Sequence, residues 1–377
     1  MIKYFFPLLL SISAFSQEID VDFYSLLHAE SESMLGKKDD INYPKETNAF
    51  ASLYAYLTLT YDISNNFFVA LSGKANYVLG EDTYKTPIYL RAKLTSDDIN
   101  QAILSETSVN YDDNFYSLNI GRSEIDYDWI HGSMDGVIGM IGDDEISLRA
   151  FWLQNFTQLQ YNYYSEFRDI NDKDGMYGVI ATYTIDSVDF TIYDYYMQSL
   201  RNIAGGHMTF ISNSMALNLS FTNAKALSLA LYDYDESFVD ISVEYLHKKH
   251  YLEVGASLTG ENGLLAMVQL GSYMFGQFYL SNQVDREGAK NGFIRYMYLN
   301  NKYNIEILAG LTNYDNTFKA IQNNLSSQEI DIYYSYKLDK DFSLDFGIMG
   351  MNVDERDPIG ISQMLVMTNM VYRYESF

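Results

Sequence analysis

The 377-residue chain has no cysteine, only 4 prolines, and half as many basic as acidic side chains, 25 against 50. The absence of cysteine excludes a disulfide framework, and with it a small fold held together by such bridges. The scarcity of lysine and arginine gives a net charge of −25, which would repel the phosphates of a nucleic acid. We therefore expect no nucleic-acid partner, whereas cations and divalent-bridged lipid headgroups are compatible with this charge.

Long apolar runs are also missing, because no stretch approaches the roughly 18 uninterrupted apolar residues of a transmembrane helix. The shorter run at residues 4–12 follows Lys3, and Ala14 and Ser16 occupy the −3 and −1 positions of a cleavage site. The sequence therefore predicts a secretory signal at residues 1–16 and one domain at residues 17–377. An uncleaved anchor is the alternative, but the apolar run is too short to span a bilayer.

Tyrosine is abundant, with 35 Tyr beside 22 Phe. Its apolar ring and polar tip suit the boundary between hydrocarbon and water. Apolar and polar residues also alternate with period two: Leu71, Ala75 and Tyr77 share one face, and Ser72 and Lys74 the other. This alternation fits strands with lipid outside and water inside, although a β-sandwich or a soluble barrel shows it in the reverse sense.

Short polar connections flanked by aromatic residues recur at residues 61–67, 111–115, 183–188, 221–227, 245–251, 298–303 and 336–342. Two weaker examples lie near residues 155–157 and 274–276. Longer connections alternate with them, at residues 36–46, 80–100, 124–144, 168–175, 286–291, 315–327 and 354–360. This asymmetry is typical of an outer-membrane barrel with short periplasmic turns and longer extracellular loops. The sequence thus predicts an all-β, transmembrane antiparallel β-barrel of about 18 strands, within a range of roughly 16 to 20.

Residues 110–126 read as a strand, a turn, a second strand and then Gly121-Arg122-Ser123 with Glu124 close behind. This pattern resembles the OprD-like outer-membrane porins. The resemblance implies that the third long connection folds inward and narrows a channel. Selective members of that family line one wall with arginines and lysines that guide carboxylated substrates. Here basic residues are scarce, and those placed to contribute to such a ladder are Lys74, Arg91, Arg122, Arg149 and Arg295.

The expected third loop, within residues 121–145, carries one arginine and many carboxylates. Carboxylates facing an arginine across a constriction would set a transverse field that orients polar solutes and favours cations. The predicted pore-lining residues are Lys74, Glu106, Arg122, Glu124, Asp126, Asp128, Asp135, Asp143 and Asp144. The alternative is that the loop carboxylates are merely solvated. Further acids on the small polar faces of strands are expected in the lumen, since lipid exposure would cost more: Asp189, Asp240, Glu244, Glu253, Glu306 and Asp345.

No motif for catalysis or cofactor binding stands out, and no cofactor is expected. His247 and His250 are three residues apart but lie in a predicted turn without further ligands, which argues against a metal site. A membrane-barrel enzyme would need His131 or His207 beside a serine, and sequence alone cannot place such a pair.

The function expected is that of a porin, a passive channel for small hydrophilic solutes with a preference for cations. The alternative is a non-conducting surface barrel that serves adhesion or outer-membrane structure. We expect the protein in the outer membrane of a Gram-negative bacterium. The expected partners are outer-membrane lipids, lipopolysaccharide, and small polar solutes or cations, and both a monomer and a homotrimer fit the sequence.

Overall fold

A computed structural model describes residues 19–35, 47–82, 101–160, 163–171, 174–227, 235–264, 280, 282–316, 322–357 and 362–375. The predicted signal at residues 1–16 lies outside the described residues. So do the connection at 36–46, most of that at 80–100 including Arg91, and the weak turn near 274–276.

The described secondary structure consists of 19 β-strands. They are β1 (Ile19–Met34), β2 (Thr47–Ser64), β3 (Phe67–Asp82), β4 (Ala102–Asp112), β5 (Tyr116–Tyr127), β6 (Ile130–Gly142), β7 (Ile146–Gln160), β8 (Tyr163–Asp169), β9 (Met176–Ile185), β10 (Val188–Met197), β11 (Arg201–Ser212), β12 (Met215–Ala226), β13 (Asp235–His247), β14 (His250–Thr259), β15 (Glu287–Leu299), β16 (Tyr303–Asn316), β17 (Gln322–Lys337), β18 (Phe342–Val353) and β19 (Gln363–Glu375).

Antiparallel pairing closes these strands into a barrel. β1 pairs with both β2 and β19, which joins the first strand to the last. β7 pairs with β9 through its first half and with β8 through its second half. The ring therefore contains 18 strands, and β8 is one extra strand beside it. This confirms the predicted all-β antiparallel barrel. No helix in the described part of the chain is long and apolar enough to cross a membrane.

The alternation in the sequence corresponds to the two faces of the wall. Leu71 and Tyr77 point outward with 41% and 56% of their surface exposed, whereas Ser72 between them is fully buried. The same division continues around the ring, with Ile241, Val254, Ile307 and Ile348 on the outer face. An outer surface of exposed aliphatic and aromatic side chains requires an apolar solvent, as in a membrane barrel.

Six of the seven well-marked turns are confirmed, at the same end of the barrel, but the turn at residues 221–227 is wrong. Those residues continue β12, because Thr222 faces the interior, where it bonds to a buried side chain. The turn that begins β12 lies at Asn213–Ser214, where Asn213 has a φ of 51°. The weak turn near 155–157 is also wrong, since these residues lie within β7.

The third long connection differs most from expectation. Residues 124–144 are not an irregular loop: they complete β5, turn at Asp128 and Trp129, and form β6. The inward course is nevertheless confirmed, because the tip of this hairpin contacts strands on the far side of the barrel.

Candidate functional site

The β5–β6 hairpin leaves the wall about halfway along its strands. β5 pairs with β4 only as far as Arg122, opposite Thr107. β7 pairs with β9 only as far as Leu153, and beyond that point it pairs with β8. The distal parts of four consecutive strands, residues 123–133, 154–160 and 163–169, therefore pair with one another but not with β4 or β9. We call these parts the inserted sheet.

Two glycines of the hairpin have backbone conformations that a side chain would not allow, one at the point of departure and one near the tip. Gly121 lies where β5 leaves β4 and has a φ of 127°, and a Cβ there would lie 2.3 Å from the carbonyl oxygen of Thr107. Gly132 has a φ of 146°, and a Cβ there would meet Phe156 at 2.7 Å. Residues that carry a Cβ rarely adopt such φ values, so both positions require glycine.

One face of the inserted hairpin is apolar and packs into the barrel. Ile125, Ile130 and Met134 alternate along it and are almost completely buried. They belong to a cluster that extends across the lumen to strands β9–β13, β15 and β16, with Met176, Ile180, Tyr193, Tyr195, Met197, Ile203, Ala224, Phe238, Phe293 and Leu308. This apolar core fills one side of the lumen.

Trp129 anchors the tip of the hairpin. Its indole Nε1 donates to the hydroxyl oxygens of Tyr193 at 2.9 Å and Thr222 at 3.0 Å, and its ring meets Phe238 edge-on. Trp129 is fully buried although its φ is 66°, a conformation that is strained for a bulky residue. Such strain persists only where the surroundings impose it, and here packing and two hydrogen bonds do so.

Asp128 adds a polar contact next to this anchor. Its Oδ2 lies 3.2 Å from Nδ1 of His207 on β11, across the lumen from the strand that carries it. Asp128 is therefore part of the tip's attachment to the far wall.

The other face of the hairpin is charged. Arg122 donates from Nε and Nη2 to both carboxylate oxygens of Asp135, at 2.7 and 3.2 Å, and from Nη1 to the carbonyl oxygen of Leu104. Its guanidinium stacks on Phe167 of β8 at 3.8 Å from the ring centre. Asp135 also accepts from Asn155. This bidentate pair joins β4 to β8 across the charged face.

Glu124 on the same face pairs with Lys74, which points inward from β3. The pair borders a cavity of about 320 Å³ between the inserted sheet and strands β1–β3. The cavity is lined by Tyr24, Leu26, Tyr54, Lys74, Glu124, His131, Gly132, Ser133, Gln158 and Leu159. On the side that faces β1–β3, the inserted sheet thus borders a cavity that has one ion pair in its wall.

Two further carboxylates from the predicted set lie near this face. Asp126 lies opposite His131 in the hairpin register, with 3.2 Å between its Oδ1 and Nδ1 of the ring, and 84% of its side chain is exposed. Glu106 lies on β4 and accepts hydrogen bonds from Ser72 at 2.9 Å and Ser108 at 3.3 Å. This face therefore brings together four of the predicted carboxylates, Glu106, Glu124, Asp126 and Asp135, with the two predicted cations Lys74 and Arg122.

Asp143 and Asp144 are not brought to this site. They lie in the turn that joins β6 to β7, at the opposite end of β6 from the hairpin tip. Asp143 accepts the backbone N–H groups of Ile146 and Glu145, and these bonds hold the pKa of its carboxyl below the usual range. The physical reason is the length of β6, which separates the two ends of what the sequence suggested was one loop.

A second inward segment was missed by the sequence reasoning. Part of the β14–β15 connection is held against β17 by Glu329, whose two carboxylate oxygens accept the backbone N–H groups of Leu280 and Asn282 at 2.6 and 2.8 Å. Glu329 is fully buried. Its alternation with Ile330 and Ile332, both exposed on the outer face, was a signal that it points inward.

The expected acids on the strands occupy the inner wall, and the nearby arginine is neutralised. Arg295 donates to Glu253 at 3.0 Å and lies 3.1 Å from Glu306. Asp345 accepts from Ser335. A continuous basic ladder is therefore not formed by the described residues.

The enzyme alternative would require His131 or His207 beside a serine. His131 and His207 each bond to an aspartate of the hairpin and not to a serine. Within the same residues no group of three or more His, Cys, Asp or Glu side chains could hold a metal ion.

The fold is that of an 18-stranded antiparallel barrel with an inserted hairpin, and solved structures of this class resemble the chain closely in shape. OccK9 (OpdG) of Pseudomonas aeruginosa matches with a TM-score of 0.75 and 10% identity, over 95% of this chain and 98% of that one. OccAB4 of Acinetobacter baumannii matches with a TM-score of 0.72 and 13% identity, over 96% and 99%. The outer membrane protein OpdK of P. aeruginosa matches with 0.73 and 11%, over 96% and 99%.

No protein-family model matches the sequence, and neither does any curated protein. The matched structures are OprD-like (Occ) barrels, so the resemblance read from residues 110–126 is confirmed for the fold.

Proposed function

We propose that the protein is an outer-membrane channel through which small hydrophilic solutes diffuse passively, with a preference for cations. The observation that carries this proposal is the inserted sheet, which packs into the barrel through its apolar face and borders, on the side of β1–β3, a cavity that contains the Lys74–Glu124 ion pair. A constriction lined by charged side chains selects permeating ions by their sign.

The charge balance at the constriction supports the cation preference. Arg122 and Lys74 are each neutralised by a carboxylate, whereas Asp126 keeps most of its side chain exposed on the charged face of the hairpin. Low-dielectric walls strengthen the field of an unneutralised charge, so a permeating cation is stabilised and an anion is repelled. We accordingly do not propose a basic ladder for carboxylates.

Planar-bilayer recordings of the purified, refolded protein across a KCl gradient test this proposal. We expect open channels whose reversal potential has the sign of cation preference. Asp126→Asn should shift the reversal potential toward zero. Asp144→Asn removes the same charge from a turn remote from the cavity, so it should shift the potential much less.

An anion-selective reversal potential would contradict the proposed field. The absence of any conducting event, from protein that is folded by its heat-modifiable electrophoretic mobility, would favour a surface barrel without a channel.

We also propose that residues 1–16 are removed on export and that residues 17–377 form the barrel. The intact mass of protein recovered from an outer-membrane fraction tests this, because cleavage before Gln17 predicts one defined mass loss. Recovery of the full-length chain from that fraction would contradict it.

A further inference from the structure

The end of the barrel that carries the short turns has an uneven distribution of charge. Three consecutive hairpins, β13–β14, β15–β16 and β17–β18, turn at residues 247–250, 300–302 and 337–341. We call these residues the basic arc, which holds two carboxylates, Asp339 and Asp341, against five lysines, Lys248, Lys249, Lys302, Lys337 and Lys340. Three other hairpins turn at residues 112–115, 143–145 and 186–187, the acidic arc, which holds six carboxylates and no lysine or arginine.

Pairing of adjacent strands makes the basic arc continuous. β14 pairs with β15, and β16 with β17, so the three turns are neighbours on the rim. Backbone hydrogen bonds also join them, because the N–H of Leu299 donates to the carbonyl oxygen of Lys249 and that of Lys337 to the carbonyl oxygen of Lys302. The five lysines are exposed, and Lys340 lies 4.0 Å from Asp341, an exposed pair of little strength. In a chain of net charge −25, this concentration of lysine is unusual.

Aromatic rings mark the depth of the basic arc relative to the membrane. Ring contacts run from His250 to Tyr298, on to Tyr303, then to Tyr334 and Phe346 on the outer surface. Lys302 lies over the ring of Tyr336 at 5.4 Å. Such a belt lies at the level of lipid headgroups. The lysines just beyond it are therefore at the level of headgroup phosphates.

We infer that the basic arc binds the headgroups of anionic glycerophospholipids in the leaflet that faces the short turns. The inference rests on the proposed placement of the barrel in a membrane. Lipid tails must cover the exposed residues Val254, Ile332 and Phe346, and the headgroups of those lipids then lie beside the lysines. The phosphate of an anionic lipid has no positive group in its own headgroup to neutralise it. It is therefore attracted to the lysines of the basic arc and repelled from the acidic arc.

Native mass spectrometry of the full chain in mixed micelles tests the inference, with phosphatidylglycerol and phosphatidylcholine as probes. We expect tighter retention of phosphatidylglycerol, weakened by raised salt. Lys249→Gln combined with Lys302→Gln should weaken it by roughly 10-fold to 30-fold, since a lysine near an anionic membrane contributes about 1 kcal/mol.

The matched control is Lys225→Gln combined with Lys290→Gln, which removes two exposed lysines from the opposite end of the barrel. This control should retain phosphatidylglycerol as the unaltered protein does, and so should Lys249→Arg with Lys302→Arg. Equal retention of both lipids, an equal loss in the two glutamine variants, or a preference for lipid A over phosphatidylglycerol would overturn the inference. If the glutamine variant does not fold, the test is the unaltered protein at raised salt: retention of phosphatidylglycerol that does not weaken would contradict the inference. Lipid retention does not depend on ion conduction. A negative result for lipid binding would therefore leave the channel proposal untouched, and a non-conducting barrel could still retain phosphatidylglycerol.

Discussion

The two faces of the inserted hairpin meet opposite walls of the barrel and differ in chemistry. The apolar face, with Ile125, Ile130 and Met134, joins a core that reaches the far wall, and Trp129 fixes its tip there. The charged face borders an open cavity against β1–β3, where Glu124 pairs with Lys74. One amphipathic hairpin therefore has two roles in the proposed channel: its buried face holds its position, and its charged face borders the cavity where we propose that ions are selected.

The largest effect is expected from the anchor of the apolar face. Trp129→Ala should destabilise the inserted position by about 3–5 kcal/mol, because a buried aromatic ring and two hydrogen bonds are lost. Single-channel recordings should show larger or noisier conductance as the hairpin leaves the lumen. Trp152→Ala is the control, since Trp152 is the other tryptophan and lies in the wall part of β7. Unchanged conductance in the Trp129 variant would show that packing of this face does not restrict the pore.

A smaller effect is expected where the hairpin leaves the wall. Gly121→Ala would place a Cβ against the carbonyl oxygen of Thr107 in a strained conformation, which costs on the order of 1–3 kcal/mol. The unfolding temperature in detergent should fall. Gly139→Ala on β6 is the matched control, because its Cβ would meet only one atom, at 4.0 Å. Equal behaviour of the two variants would argue against a special bend at Gly121.

The charged face should respond in selectivity and not in stability. Lys74→Gln leaves Glu124 without its partner and should increase cation preference, whereas Glu124→Gln leaves Lys74 unneutralised and should decrease it. The shifts in reversal potential should be of opposite sign, because the two variants remove opposite charges from one ion pair. The double variant should lie near the unaltered protein. Shifts of the same sign would contradict a cavity on the permeation path.

The smallest effect is expected at Asp143, in the β6–β7 turn, which belongs to neither face of the inserted hairpin. The backbone N–H groups of Ile146 and Glu145 lower the pKa of Asp143, so its carboxylate stabilises the folded barrel above the ordinary aspartate range. That contribution is lost as pH falls through the lowered pKa. Asp143→Ala should therefore lower the unfolding temperature slightly at neutral pH and match the unaltered protein in strong acid. A difference that persists in strong acid would rule out this cause.

Much of the barrel wall could be predicted because its signals are local. Leu71, Ser72 and Tyr77 show the alternation of a wall strand, and residues 65–66 and 248–249 lie in turns between aromatic flanks. Thr222 misled the same reasoning, since a polar residue that faces an interior partner looks like a turn residue in sequence.

The candidate site was predicted in part. Arg122, Glu124, Asp126 and Asp128 recur at every second position, a strand signal, yet the glycines around them favoured a loop. This spacing of every second residue therefore indicated that the charged side chains share one face of a strand. Nothing local indicated that Asp143 lies at the far end of β6, or that Glu329 holds the backbone of a segment 47 residues away.

The sequence by itself determined a two-faced wall with aromatic borders and an acidic lumen, because period-two alternation and side-chain polarity act on neighbouring residues. Only the tertiary structure decided which side of the lumen is filled and which is open. That choice depends on Trp129 reaching Tyr193 and Thr222, residues 64 and 93 positions further along the chain. Closure of the ring brings them within hydrogen-bonding distance, and no local pattern specifies such a contact.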